Sequence, residues 1–164
     1  METNRLRSEL SPEVLAILQY HEAAGTTDAP AYQEAVLEFY RRHVCRLDPW
    51  PDCLKRALAK MMQSPQVYLT MIGPSEFHVT GTLKDWDIVP RLGEIGVPTL
   101  VLGGRYDEAT PTVTGTVHRG IPGSEWVIFE HSSHTPHLEE PERYLKVLTT
   151  FLERVESSPI EGGR

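Results

Sequence analysis

Apolar residues along this chain recur first at the spacing of helices and later in short runs that suit strands. Ser11 and Pro12 make a cap and a first-turn proline, and Val14, Leu15 and Leu18 follow at helical spacing until Gly25 closes the segment. Asp28 and Pro30 open a second helix, with Tyr32, Val36, Phe39 and Tyr40 on one side and charged residues on the other; Pro49 and Pro51 are expected to end it. A third helix begins near Asp52, with Leu54, Leu58 and Met61 or Met62 as its apolar stripe. Packing is the simplest use of such stripes.

The punctuation changes after Gly81. Residues 88–95 read as a short amphipathic helix, 98–102 as a buried strand ended by Gly103 and Gly104, and 125–130 as a second strand. Residues 141–155 predict a terminal helix whose apolar face holds Tyr144, Leu145, Leu148, Phe151 and Leu152. The stretch 111–121 has to cross between the strands, although Gly115 and the threonines Thr112, Thr114 and Thr116 favour helix poorly. Strands alternating with helices argue for part of a parallel α/β sheet. Residues 157–164 read as a disordered tail, and the chain has no internal repeat.

Composition narrows the classes. The 164 residues, 40% of them apolar, suit one domain of ordinary size with a core. A formal charge of -7, with acids and bases interspersed, argues against nucleic acid or an anionic membrane as the main partner. Cys45 and Cys53 are the only cysteines; they are too few for a disulfide framework and lack the paired spacing of a zinc site, so a reducing compartment, the cytoplasm, is expected. The first residues hold no apolar stretch of signal-peptide length, and no run approaches the roughly 20 residues of a membrane span, so a soluble protein is expected.

Two polar stretches carry candidate chemistry. GGRYDEATP (103–111) places Asp107 a few residues after one strand, and HSSHTPHLEEPERY (131–144) places His134 after the next. In open parallel sheets, functional groups gather at the carboxyl ends of the strands. An acid there holds an imidazole in one tautomer and stabilises it once protonated, while the imidazole exchanges a proton with a nucleophile. Asp107 followed by His134 fits the last two terms of the Ser, Asp or Glu, His order of α/β-hydrolases. On spacing alone, a turn-capping Asp107 and a solvated His134 fit as well.

Three blocks, VYLTMIGPSEFHVTGTLKDWDI (67–88), VPTLVLGGRYDEATP (97–111) and FEHSSHTPHLEEPERYL (129–145), closely resemble proline iminopeptidases. These are α/β-hydrolase-fold serine peptidases that remove an N-terminal residue, often proline. The segment LSPEVLAILQYHEAAGTTDAPAYQEAVLEFYRRHVCRL (10–47) resembles that family's helical cap, so the likeness reaches to about residue 156. The resemblance implies that Asp107 is the triad acid and His134 the triad base. It implies that Glu76 and Glu108 receive the substrate's free α-amino group, and that Tyr68 stands at the site entrance. Fixed anions suit that task, because a desolvated ammonium is costly to bind without them. The implied partner is a peptide or amino-acid amide with a free N-terminus, and the implied chemistry needs no cofactor or metal.

The departures are as informative. The family's serine lies in a Gly-x-Ser-x-Gly elbow, and Ser64, Ser75, Ser124, Ser132 and Ser133 all lack that setting. The family's His-Gly-Gly-Pro segment, which helps form the oxyanion hole, is absent too. Ile72 stands where the family often has Trp, and Thr135 where Met is common. The expected fold class is therefore α/β, the C-terminal part of an α/β-hydrolase fold with a helical cap, the N-terminal sheet and nucleophile elbow missing. Residues 1–85 are assigned to the cap region, 86–156 to the C-terminal strands and helices of the core, and 157–164 to the tail. Two strands lack neighbours, so the chain is expected to fold poorly or to associate unless a complementing N-terminal hydrolase segment is supplied. The expected function is that of a serine aminopeptidase of the proline-releasing type, in a chain without its serine.

The same residues admit other uses. HxxHxxH at His131, His134 and His137 invites a metal, but Pro136 interrupts a continuous helix through all three. Cys45 and Cys53 sit in the helical half without an elbow. A non-catalytic amine-binding module, and an amidase, esterase or lactonase of the same fold, are the alternatives.

Overall fold

Residues 2–157 are described by a computed structural model. Five helices come first: α1 (Glu2–Arg7), α2 (Pro12–Ala24), α3 (Pro30–His43), α4 (Asp52–Gln63) and α5 (Gln66–Met71). α2 starts where Ser11 Oγ accepts the Val14 N–H at 3.3 Å. It stops at Gly25, whose φ of 67° lies in the left-handed region that glycine enters without strain. α3 ends at His43, well before the prolines expected to stop it. The His43 carbonyl accepts the Glu108 N–H at 3.3 Å and the His134 N–H at 3.2 Å, so tertiary partners stand in for the next helical turn. Leu6, Leu10, Leu18, Tyr32, Ala35, Val36, Phe39 and Phe77 form the core of this half. A little-exposed Arg7–Glu22 ion pair of 2.7 Å fastens α1 to α2, and the Arg7 guanidinium lies 5.1 Å from the centre of the Phe77 ring.

The second half begins with a 3-10 helix, Val89–Glu94, where the sequence pattern predicts a longer amphipathic helix. Strands β1 (Leu100–Gly104) and β2 (Glu125–Phe129) then pair in parallel, with Leu100 opposite Glu125 and Gly104 opposite Phe129. The glycines expected to end β1 are its last two residues. Leu100, Val101 and Leu102 are half-buried rather than buried, since the sheet of the described residues has two strands only. α6 (Pro111–Gly120) makes the crossover as a regular helix despite its composition. Thr114 and Thr116 donate their hydroxyls to the carbonyls four residues back, and Gly115 leaves room for the Trp126 ring, which would lie 3.1 Å from a Cβ there. Trp126 Nε1 also donates to Thr114 Oγ1 at 3.2 Å, so packing on β2 outweighs weak helix propensity.

α7 (Pro136–Glu139) and α8 (Pro141–Ser157) complete the chain. The half-buried face of α8 carries Tyr144, Val147, Leu148, Phe151 and Val155, whereas Leu145 and Leu152, expected on that face, are exposed. Ser157 closes α8; the rest of the expected tail lies outside the described residues. Among the described residues no helix is long and apolar enough to cross a membrane.

Gly104 is where the sheet meets the site. A Cβ there would sit 2.1 Å from the Ser133 carbonyl oxygen and 2.4 Å from that of Ser132, both backbone atoms of the His134 loop. Gly104→Ala is expected to lower stability by at least about 2 kcal/mol, read from the urea midpoint. Gly96→Ala, which meets nothing within 4 Å, is expected to leave the midpoint within about 0.5 kcal/mol.

Candidate functional site

Three loops converge beside the end of α3. The first follows α5. Ile72 O accepts the N–H groups of Thr80 and Gly81, both at 2.9 Å, and so closes the segment between them. Gly73 adopts a φ of 122°, and a Cβ there would meet Thr80 Oγ1 at 2.7 Å. Within this loop Ser75 is fully buried against the Tyr32 hydroxyl at 3.2 Å, and Phe77 stacks edge-on with Phe39 at 4.9 Å between ring centres. Glu76, fixed between these two anchors, accepts the Tyr68 hydroxyl at 2.9 Å, and Tyr68 is itself 3.3 Å from the Tyr40 hydroxyl. Burial drives both the Tyr40 and the Tyr68 hydroxyl pKa upward, with Glu76 adding to the effect, so both phenols stay neutral donors.

The second loop leaves β1 and carries Asp107. Its Oδ1 accepts the Ala109 N–H at 2.8 Å, which makes a turn of the kind short acids favour, and Oδ2 accepts the Gly104 N–H at 3.4 Å. The third loop leaves β2 and carries His134, whose Nδ1 lies 2.9 Å from Asp107 Oδ1. Asp107 is buried, while half of the His134 side chain is exposed. The hydrogen bond with Asp107 raises the imidazole pKa to about 9 against partial burial, and the charges of Asp107, Glu108 and Glu76 add to the rise. The pair is thus joined through Nδ1, with Nε2 directed away from the acid.

Two successive glutamates hold the His134 loop. Glu139 accepts the Ser133 N–H at 2.9 Å, the Ser133 and Thr135 hydroxyls, and the Arg46 N–H at 2.9 Å. Glu140 accepts the His131 N–H at 3.0 Å and the Ser132 hydroxyl at 2.6 Å. α3 closes the arrangement from the other side. His43 Nδ1 is 2.8 Å from the Tyr106 carbonyl, so that nitrogen carries the proton and donates, and Thr135 Oγ1 donates to Val44 O at 3.0 Å. Burial lowers the His43 pKa, which keeps its ring neutral.

A cavity of about 490 Å³ opens next to the pair, lined by Glu2, Thr3, Glu76, Glu108, Ala109, Val113 and His134. Glu108 is buried, and its Oε2 has no hydrogen-bond partner among the described residues. Burial, with the Glu76 charge adding, raises its pKa to about 8, against a smaller lowering by His134.

The structure therefore brings together Asp107, His134, Glu76, Glu108 and Tyr68, the five residues singled out in the sequence. It does not gather His131 and His137 with His134: both are exposed, and His137 lies against Tyr144 at 5.8 Å between ring centres. Among the described residues no cluster of three or more His, Cys, Asp or Glu groups has the spacing to hold a metal. Cys45 is buried and Cys53 exposed, and both are free. Sequence reading missed His43, Tyr40, Glu139 and Glu140. The unusual density of serines and acids in HSSHTPHLEEP was a usable signal for the last two; His43 left none, because its role comes from a contact distant in sequence.

The titration of Glu108 fixes the sign of a pH effect. Its ordinary pKa is 4.5 and its folded value about 8, so between those values the folded state holds more protons than the unfolded chain. The stability it allows is full below about pH 4.5 and is lost as pH rises through about 8. His134 acts in the same sense, from its ordinary 6.5 to about 9, while His43, whose pKa burial lowers, acts in the opposite sense below about 6.5. The urea midpoint is expected to fall from about pH 5 to about pH 8, and Glu108→Gln to flatten that fall and add on the order of 2–3 kcal/mol at about pH 7. A midpoint indifferent to pH in the parent chain would contradict the buried, proton-holding carboxyl.

Comparison with known proteins gives the same geometry a context. No family model matches the chain. It is 40% identical over 156 residues to a proline iminopeptidase of Saccharolobus solfataricus, an alignment covering 95% of this chain and 50% of that protein. The crystal structure of VinJ superposes with a TM-score of 0.90 at 47% identity, over 94% of this chain and 52% of that one. The crystal structure of a proline iminopeptidase from Mycobacterium smegmatis does so with a TM-score of 0.81 at 44% identity, over the same shares. The chain spans about half the length of the curated relatives it matches. Over that span it is a homologue of the proline iminopeptidases, corresponding to the C-terminal half of their α/β-hydrolase fold.

Proposed function

We propose that this chain supplies the acid, the base and the amine-binding carboxylates of a serine aminopeptidase that releases an N-terminal residue, proline in particular. The observation that carries the reading is a hydrogen-bonded His134–Asp107 pair beside a cavity walled by Glu76 and Glu108. In this reading residues 1–85 form the cap and 86–156 the C-terminal part of the core. A serine from a complementing N-terminal segment, outside these 164 residues, attacks the carbonyl that follows the N-terminal residue. His134 Nε2, when its ring is neutral, takes the hydroxyl proton and passes it to the leaving amine, and Asp107 accepts the Nδ1–H bond and stabilises the imidazolium. Glu76 and Glu108 take the substrate's ammonium, with Tyr68 orienting Glu76. A blocked N-terminus brings neither the charge nor the donors this pair requires, so free-amine substrates are selected. The free thiols of Cys45 and Cys53 support a reducing compartment such as the cytoplasm.

The test joins this chain to the N-terminal half of the Saccharolobus solfataricus relative and follows hydrolysis of prolyl, alanyl and N-acetylprolyl p-nitroanilides, with p-nitrophenyl acetate as an ester control. Prolyl release is expected, with the acetylated substrate inert. His134→Ala is expected to lower kcat at least about a thousandfold, and Glu76→Gln to raise KM about tenfold or more. Ester hydrolysis without amine-dependent peptidase activity would instead favour an esterase of the same fold, and equilibrium binding of free amines without turnover a non-catalytic amine-binding module.

A further inference from the structure

The two acids of the cavity are not equivalent. Glu76 is half-buried and has a donor in the Tyr68 hydroxyl. Glu108 is 9% exposed, and among the described residues its Oε2 has no hydrogen-bond partner and neither acid stands in a salt bridge. The groups that face Glu108 are mostly anionic or neutral: Asp107 beside it in the chain, Glu76 across the cavity, the Tyr40 hydroxyl of α3, and Glu2 of α1, which lines the same space. His134 is the cationic neighbour, and its Nδ1 is already engaged by Asp107. A buried carboxylate with an unpartnered oxygen is a poor anion, so Glu108 rests as the carboxylic acid.

An organic ammonium brings what the site lacks, a positive charge together with N–H donors. Resting on the reading of Glu76 and Glu108 as the amine site, we propose that binding of a primary or secondary ammonium there expels the Glu108 proton to solvent, one proton out for each cation in. The balance is R–NH3+ plus Glu108–COOH giving R–NH3+ paired with Glu108–COO−, plus H+ taken up by the buffer. The exchange leaves the net charge of the cavity unchanged, so the His134–Asp107 pair faces the same total charge with the ligand in or out. It also separates ammonium ligands by their donors. A quaternary ammonium brings charge without N–H groups, and leaves the newly exposed lone pairs of Glu108 unsatisfied.

Calorimetric titration of the chain with L-prolinamide, at about pH 6.5 in two buffers of different ionisation enthalpy, counts the protons released on binding. About one proton per ligand is expected, with the apparent affinity rising about tenfold from pH 6 to pH 7. Glu108→Gln is expected to bind more weakly, release none and lose the pH dependence. His134→Ala, which removes the other nearby group able to give up a proton, is expected to release one still; loss of release in that variant would move the proton to His134 and overturn the proposal. Binding of prolinamide with no proton release overturns the proposal and leaves the amine site standing. Failure of prolinamide to bind in either buffer, with the chain folded by circular dichroism, overturns both.

Discussion

A single backbone oxygen, the carbonyl of His43, holds the arrangement together. It ends α3 by turning its acceptor away from the next helical turn, toward the N–H groups of Glu108 and His134. Those two residues belong to different loops, one after β1 and one after β2, and their shared acceptor fixes the loops against each other as well as against the helices. The His43 ring repeats the connection through Tyr106 O, the Arg46 guanidinium stacks 3.6 Å from the centre of the Tyr106 ring, and Thr135 reaches back to Val44 O. A helix end is suited to this because its last carbonyls have no partner inside the helix. The relative position of the acid, the base and Glu108 is therefore a property of backbone geometry, largely independent of the side chain at residue 43.

Around that joint, charge is handled in two ways. Where an anion must persist, the fold surrounds it with donors: Asp107 accepts two N–H groups and the imidazole, while Glu139 and Glu140 collect the N–H and hydroxyl groups of the loop between β2 and α7. Burial alone raises the Glu140 pKa, and the bonds from Ser132 and His131 and the nearby Arg143 reverse that, leaving it lowered. Glu108 has the burial without the donors, and its pKa moves the other way. An acid left short of partners amid so many satisfied ones is the feature that packing does not explain. It is also the reason the proposed ligand is a cation with donors.

The pattern of the sequence was readable where local rules decide. Ser11, Pro12 and Gly25 bounded α2 because capping is a matter of a few neighbouring atoms. The order of Asp107 and His134 after two strands was readable because topology delivers strand ends to one edge. Reading failed where distant contacts override local preference. α6 is helical because Trp126 needs the space at Gly115, and α3 stops at His43 because two loops claim its carbonyl. Leu145 and Leu152 fit the apolar period of α8 but face outward, since a two-stranded sheet covers only part of the helix. Glu76 and Glu108 were placed by resemblance alone: nothing in their immediate neighbours distinguishes a buried acid from a surface one.

The halves of the chain differ in self-sufficiency, and the site lies where that difference matters most. The helical half carries its own buried cluster, with Tyr32, Phe39 and Leu18 fully enclosed. The other half has two strands whose aliphatic residues are half-exposed, and a terminal helix without a buried residue. Yet the hydrogen bonds that set Asp107 against His134 all come from the described residues, from the loops after β1 and β2. What those contacts leave open is the Nε2 side of His134, the direction from which a nucleophile would have to approach. In the proposed enzyme, a segment that completes the sheet would have two tasks at the site: to bring a hydroxyl to an imidazole that is already oriented, and to supply donors for the oxyanion.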